Sequence, residues 1–175
     1  EEDIWERRNG NGGGRRIGTL AGDNSASDVS PDGSRIAFVS KRSGRLAVWI
    51  ADREGANAVE LAATAAANTP RWSPRGDLIA YVCRFGDSPE QICTLDVNNR
   101  QSRRLTHRHA RHLLPSWSRD GRSIYYASDS SGAFEIWKAP VSDSAEPIRV
   151  TTGGGYGAME SVDGGCSSRG RRYPD

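Results

Sequence analysis

Apolar positions in this chain come in short runs, RIAFVS at 35–40, LIAYVC at 78–83 and SIYYAS at 123–128, each between polar, turn-forming segments. Runs this short, rich in β-branched and aromatic residues and bounded by Gly, Pro, Asp and Ser, predict strands. The Gly-bearing loops KRSGR, RFGDSPE and DSSGA follow them, and then the strings AVW, QIC and EIW predict another strand in each case. After a further polar turn come segments ending in Glu60-Leu61, Arg104-Leu105-Thr106 and Arg149-Val150-Thr151. Ahead of each run, Val29, Trp72 and Trp117 mark one more short strand. The chain therefore reads as units of four short strands joined by tight connections.

The units keep a period. Turn tripeptides recur as Pro31-Asp32-Gly33, Pro74-Arg75-Gly76, Arg119-Asp120-Gly121 and, weakly, Val162-Asp163-Gly164, with their glycines 43, 45 and 43 residues apart. Trp5, Trp49, Cys93 and Trp137 stand 44 residues apart each time, and Phe38, Tyr81 and Tyr126 lie five residues beyond their turn glycines. Two independent markers on one beat identify a repeat architecture, and four antiparallel strands in about 44 residues are the content of a β-propeller blade. Proline at the start of the turn presets φ, while Gly33, Gly76 and Gly121 reach positive φ without a Cβ clash. Trp5, Phe38, Trp49, Trp72, Tyr81, Trp117, Tyr126 and Trp137 are expected to be structural, packing one blade on the next.

The strings VSPDGSRIAFVS, WSPRGDLIAYVC and WSRDGRSIYYAS, each followed by a xIW-type strand and an RxLT-like end, resemble the PxWSPDGxxIAFxS repeats of TolB-like, WD-repeat-like propellers. The resemblance runs from about residue 2 to 164 and speaks for fold, since these residues are the ones that make the blade. It places the second half of a blade at 1–20, complete blades at 21–66, 67–110 and 111–154, and the start of a further blade at 155–164; residues 165–175, without strand alternation, are expected to be a disordered tail. Rings of this family usually have six or more blades. A weak last strand, with Arg169 where an aromatic is expected, favours a piece of a larger propeller over a four-bladed ring closed by 1–20 and 157–173. An open arc could also hide its faces by self-association.

Composition fits this picture, with 35% hydrophobic residues and 20 glycines and a mean hydropathy of -0.67. A net charge of +2 with 26% charged residues is too even to imply nucleic acid. No run nears the roughly 18 apolar residues of a transmembrane helix. The resemblance allows a periplasmic or a cytoplasmic setting. Cys83, Cys93 and Cys166 form neither a CxxC pair nor a dense framework, and the first two read as ordinary buried strand residues.

Catalytic signatures such as G-x-S-x-G, H-E-x-x-H, a P-loop or a dinucleotide fingerprint are absent, which argues against an independent enzyme and implies no cofactor. One stretch stands out, Arg100, Arg103, Arg104, His107, Arg108, His109, Arg111 and His112, on the connection from a fourth strand to the next blade. Arg104, His107, Arg108, His109, Arg111 and His112 are candidates for binding a protein partner with acidic groups. His107, His109 and His112 are weaker candidates for a transition metal, because imidazoles alone leave a site incomplete. The tract GGGYG at 153–157 reads as an inter-blade loop, since a phosphate cradle needs a helix N-terminus or a nest. Asp32, Asp120 and Asp163 read as turn residues that bond nearby backbone. The expected function is a non-catalytic scaffold that binds proteins through its inter-blade loops, as a sensor or docking module of a larger protein. The alternatives are the substrate-gating propeller of a prolyl-oligopeptidase-like serine peptidase and a metal- or ligand-binding propeller using the histidine loop.

Overall fold

The computed structural model describes residues 5–6, 15–16, 24–64, 66–142, 145–160 and 166–168. All of the secondary structure in them is β. Three four-stranded antiparallel sheets follow one another along the chain. The first holds β3 (Asn24–Val29), β4 (Arg35–Ser40), β5 (Ala47–Asp52) and β6 (Val59–Ala63); the second holds β7 (Ala66–Trp72), β8 (Leu78–Arg84), β9 (Gln91–Asp96) and β10 (Ser102–Arg104). The third holds β11 (His112–Trp117), β12 (Ser123–Ser128), β13 (Glu135–Pro140) and β14 (Ile148–Arg149). Two-stranded pairs flank them, β1 (Trp5–Glu6) with β2 (Arg15–Arg16) and β15 (Ala158–Glu160) with β16 (Cys166–Ser168). Part of the expected tail thus forms a strand: Ala158 stands opposite Ser168, and Glu160 opposite Cys166. The remainder of the tail, the Val162-Asp163-Gly164 turn, Arg169 and the side chain of Trp5 lie outside the described residues.

The two periodic sequence markers prove to be cross-strand neighbours. Phe38 stands opposite Trp49, Tyr81 opposite Cys93 and Tyr126 opposite Trp137. Directly opposed side chains share a face, so each pair makes one large patch on its blade. Tyr81 and Cys93 pack with Ala37, Val39 and Val48 of the preceding sheet. In the same way Tyr126 and Trp137 pack with Ala80, Val82 and Ile92. The core therefore lies between blades, and each central strand is buried on both faces, as in β8, where Ile79 to Cys83 are all buried.

Inner strands add hydrogen bonds to this packing. The Trp72 indole donates to the backbone oxygen of Asp28 at 3.2 Å, and the Trp117 indole donates to that of Arg71 at 2.9 Å. An indole N–H in a packed interface favours an acceptor, and for Trp72 and Trp117 the preceding blade supplies it. The turns meet their neighbours too. Gly33, Gly76 and Gly121 have φ of 71°, 71° and 69°, and each donates its N–H to the backbone oxygen of the serine three residues earlier, at 2.8–2.9 Å. A Cβ on Gly121 would lie 3.5 Å from Cδ of Pro74 in the turn of the preceding blade. Space is thus available and the backbone is the obstacle: Gly121→Ala is expected to lower the unfolding free energy by about 1–2 kcal/mol in urea titration, the cost of a left-handed L-residue.

The cysteines depart from their expected role. Cys83 and Cys93 form a disulfide with a Cα–Cα distance of 5.9 Å, inside the core between the first two complete blades. Cys83 lies two residues beyond Tyr81, whose cross-strand partner is Cys93. The two sulfurs consequently share a face and are one diagonal step apart, which a simple count along the chain conceals.

Candidate functional site

The basic connection between the second and third complete blades is fixed from below. Gln91, 2% exposed, donates from Nε2 to the backbone oxygens of Arg108 at 3.2 Å and Ala110 at 3.0 Å. Its Oε1 accepts from the Thr106 hydroxyl at 3.1 Å, and that hydroxyl accepts from the Ile92 N–H at 2.9 Å. One blade later Glu135 and Thr151 repeat the arrangement, with the Ile136 N–H bonded to Thr151 at 2.9 Å and the Gly154 N–H to the Glu135 carboxylate at 3.1 Å. In the second and third complete blades the threonine of the RxLT-like end is therefore a clasp that holds the outgoing connection against the start of the third strand. The glycine tract serves the same junction: a Cβ on Gly155 would come within 2.7 Å of Ile136.

On this fixed backbone the candidate residues separate into groups. Arg104, His107, Arg108 and His109 are exposed, and Arg104 Nε donates to His107 Nδ1 at 3.1 Å. Arg108 lies over the Trp137 ring at 5.4 Å. Arg111 is committed to the fold, with its Nε 3.0 Å from the Asp129 carboxylate and its guanidinium 4.9 Å over Phe134. His112 leaves the surface altogether: it begins β11 and is 1% exposed. Among the described residues no group of three His, Cys, Asp or Glu side chains is placed to hold a metal, so His107, His109 and His112 do not converge. Asp32 and Asp120 bond within their turns, accepting from the backbone N–H groups of Ser34 at 3.1 Å and Arg122 at 2.9 Å.

Burial pushes the His112 imidazole down to about 4 from its ordinary 6.5. The unfolded chain therefore binds a proton that the folded chain refuses, so this contribution to stability is complete above pH 6.5 and is lost as pH falls towards 4. His112→Gln is expected to flatten this part of the profile, read as the difference between the two proteins' urea midpoints across that range.

A second feature lines the inner strands and gave no sequence signal. Ala26, Thr69 and Leu114 have φ of 45°, 44° and 52°, and each sits at a register shift of its strand, between Ser25 and Ser27, Asn68 and Arg71, and Leu113 and Ser116. A bulge with a left-handed non-glycine residue recurs at the same place in every complete blade. Beside the third lies a cavity of about 480 Å³ lined by Arg71, Leu114, Ser116, Trp117 and Met159, among others. Repeated bulges re-aim the inner strands and interrupt their pairing.

The TolB beta propeller domain matches residues 67–171. The chain belongs to this TolB propeller family. An uncharacterized protein of Agrobacterium fabrum is 31% identical over 124 residues, covering 70% of this chain and 42% of its own length. The Tol-Pal system protein TolB of Albidiferax ferrireducens is 40% identical over 65 residues, covering 37% of this chain and 15% of its own. A solved structure assigned to TolB of Agrobacterium tumefaciens superposes with a TM-score of 0.79 at 26% identity, covering 89% of this chain and 57% of that one. This TolB-type chain thus spans less than two thirds of each of these relatives. Peptidase propellers share the fold more distantly, at 18% identity and a TM-score of 0.66 in one case.

Proposed function

We propose that this TolB-type propeller is a non-catalytic scaffold that engages a protein partner through its inter-blade connections. The observation that carries this reading is the clasped connection at 105–111, which presents His107 and His109 to solvent, beside the exposed Arg104 at the end of β10, on a backbone fixed by Gln91 and Thr106. A pre-ordered basic surface loses little entropy on binding and suits acidic groups. One relative's name places it in the Tol-Pal system, so the partner tested first is the Pal protein of the same organism. The Cys83–Cys93 disulfide supports an oxidising compartment such as the periplasm.

Biolayer interferometry between the full chain and purified Pal tests the reading. Binding is expected to weaken about tenfold or more in an Arg104→Glu/His109→Glu variant and to weaken in raised salt. Absence of binding, or equal binding by the variant, contradicts it. The substrate-gating role beside a peptidase domain has only the shared fold in its favour.

A further inference from the structure

The groove between the second and third complete blades contains a cavity of about 390 Å³, lined by Thr106, Arg108, His112, Tyr126, Glu146 and Pro147 among others. Two changes in the repeat produce its polar character. In the second blade the equivalent groove is closed by a bond of 2.7 Å between the Tyr81 hydroxyl and Ser102. Ser102 lies two residues before Arg104, the cross-strand partner of Cys93, and Pro147 lies two residues before Arg149, the partner of Trp137. Proline has no hydroxyl to offer Tyr126. The other change is His112, two residues before the bulge residue Leu114, where the second blade has Ala67 two residues before Thr69.

His112 brings two ring nitrogens to a buried position; the Arg108 backbone acts on the ring, but neither nitrogen closes a hydrogen bond of ordinary geometry. Its ring lies against Tyr126, with 5.2 Å between centroids. Buried polar atoms without partners are costly and call for an explanation. Charge of both signs stands around this polar floor. Arg108 is positioned over Trp137 and Glu146 lines the same cavity, while the Tyr126 hydroxyl feels both, in opposite directions. Among the described residues the two do not form an ion pair with each other.

A simple anion would be repelled by Glu146, and a simple cation by Arg108. A small ligand carrying both charges satisfies each, and the volume lies at the lower end of the range for small-molecule sites. We propose that this cavity binds a free α-amino acid, with the carboxylate on Arg108 and the ammonium on Glu146. His112 and Tyr126 form the neutral polar floor beneath it, and Leu105 and Pro147 supply apolar wall for the side chain.

Isothermal titration calorimetry of the full chain with glycine, L-leucine and L-glutamine, and with acetate and methylammonium as single-charge probes, tests this. At least one amino acid is expected to bind with Kd of about 1 mM or tighter, and the single-charge probes more weakly. Arg108→Gln and Glu146→Gln, both at exposed positions, are each expected to weaken binding about tenfold, because each removes a charge-assisted bond, while the thermal midpoint moves little, Arg108→Gln losing only an exposed contact over Trp137. Pro147→Ser, which supplies the hydroxyl found at Ser102, is expected to reduce binding by bonding Tyr126 across the groove. No heat with any of the amino acids up to about 10 mM, equal binding of acetate, or unchanged affinity in both charge variants overturns the proposal.

Discussion

Tyr81→Ala is expected to lower the unfolding free energy by about 3–5 kcal/mol, the range for deleting a large buried side chain from a core that relaxes only partly. Tyr81 is 0% exposed and reaches from its own blade into the preceding one, against Ala37, Val39 and Val48. Loss of its ring therefore leaves a void between two sheets, and neither sheet can close it without moving against the inner-strand bonds made by Trp72. Tyr81→Phe separates packing from polarity. It removes only the hydroxyl bonded to Ser102 at 2.7 Å and is expected to cost about 1 kcal/mol. Guanidinium titration of both variants checks the pair, and a cost for Tyr81→Ala close to that of Tyr81→Phe would show that the ring is not shared between blades.

Reduction of the Cys83–Cys93 disulfide is expected to cost about 2–3 kcal/mol, given a sequence separation of 10 and the chain-entropy relation for loops of that size. Both residues are 0% exposed, so the bond is expected to resist mild reductant until the blades open. Thiol titration in denaturant gives a direct count. The sequence has three cysteines, and one bridge leaves Cys166 alone to react before reduction. Three reactive thiols in protein purified without reductant would contradict the bridge. Cys83→Ser/Cys93→Ser is expected to lower the urea midpoint by an amount matching reduction of the parent chain.

The blades were legible because their two markers are physically one feature. Phe38 and Trp49 sit on different strands, yet they oppose each other directly, so selection for one patch imposed two sequence rhythms with one period. The runs RIAFVS and SIYYAS coincide with β4 and β12, because the bounding turns depend on local chemistry: Ser30 and Ser118 bond the aspartates two residues on, at 2.6 and 2.7 Å. The disulfide was hidden because its logic is one of register. Read against the repeat, however, Cys83 and Cys93 replace Ser40 and Trp49 of the first complete blade, two adjacent positions on one face, and that paired replacement was the available signal.

The candidate site was legible in place but not in depth. A run of arginines and histidines looks uniformly solvated when read as a loop. Tertiary contacts divide it, committing Arg111 to Asp129 and carrying His112 inward as the first residue of β11. The clasp residues Gln91 and Thr106 are unremarkable alone and meaningful only across the 15 residues that separate them. The left-handed bulges at Ala26, Thr69 and Leu114 have no glycine or asparagine to announce them, since tertiary packing of the inner strands overrides local preference there.

Nuclear Overhauser contacts of the Tyr126 ring test the central claim, that the second and third complete blades bury their markers against the blade before them. The structure predicts cross-peaks from this ring to the methyl groups of Ala80, Val82 and Ile92, all of the preceding sheet. A ring that shows contacts only to residues of its own sheet, 112–149, would contradict radial stacking of the blades and the placement of every site described on them.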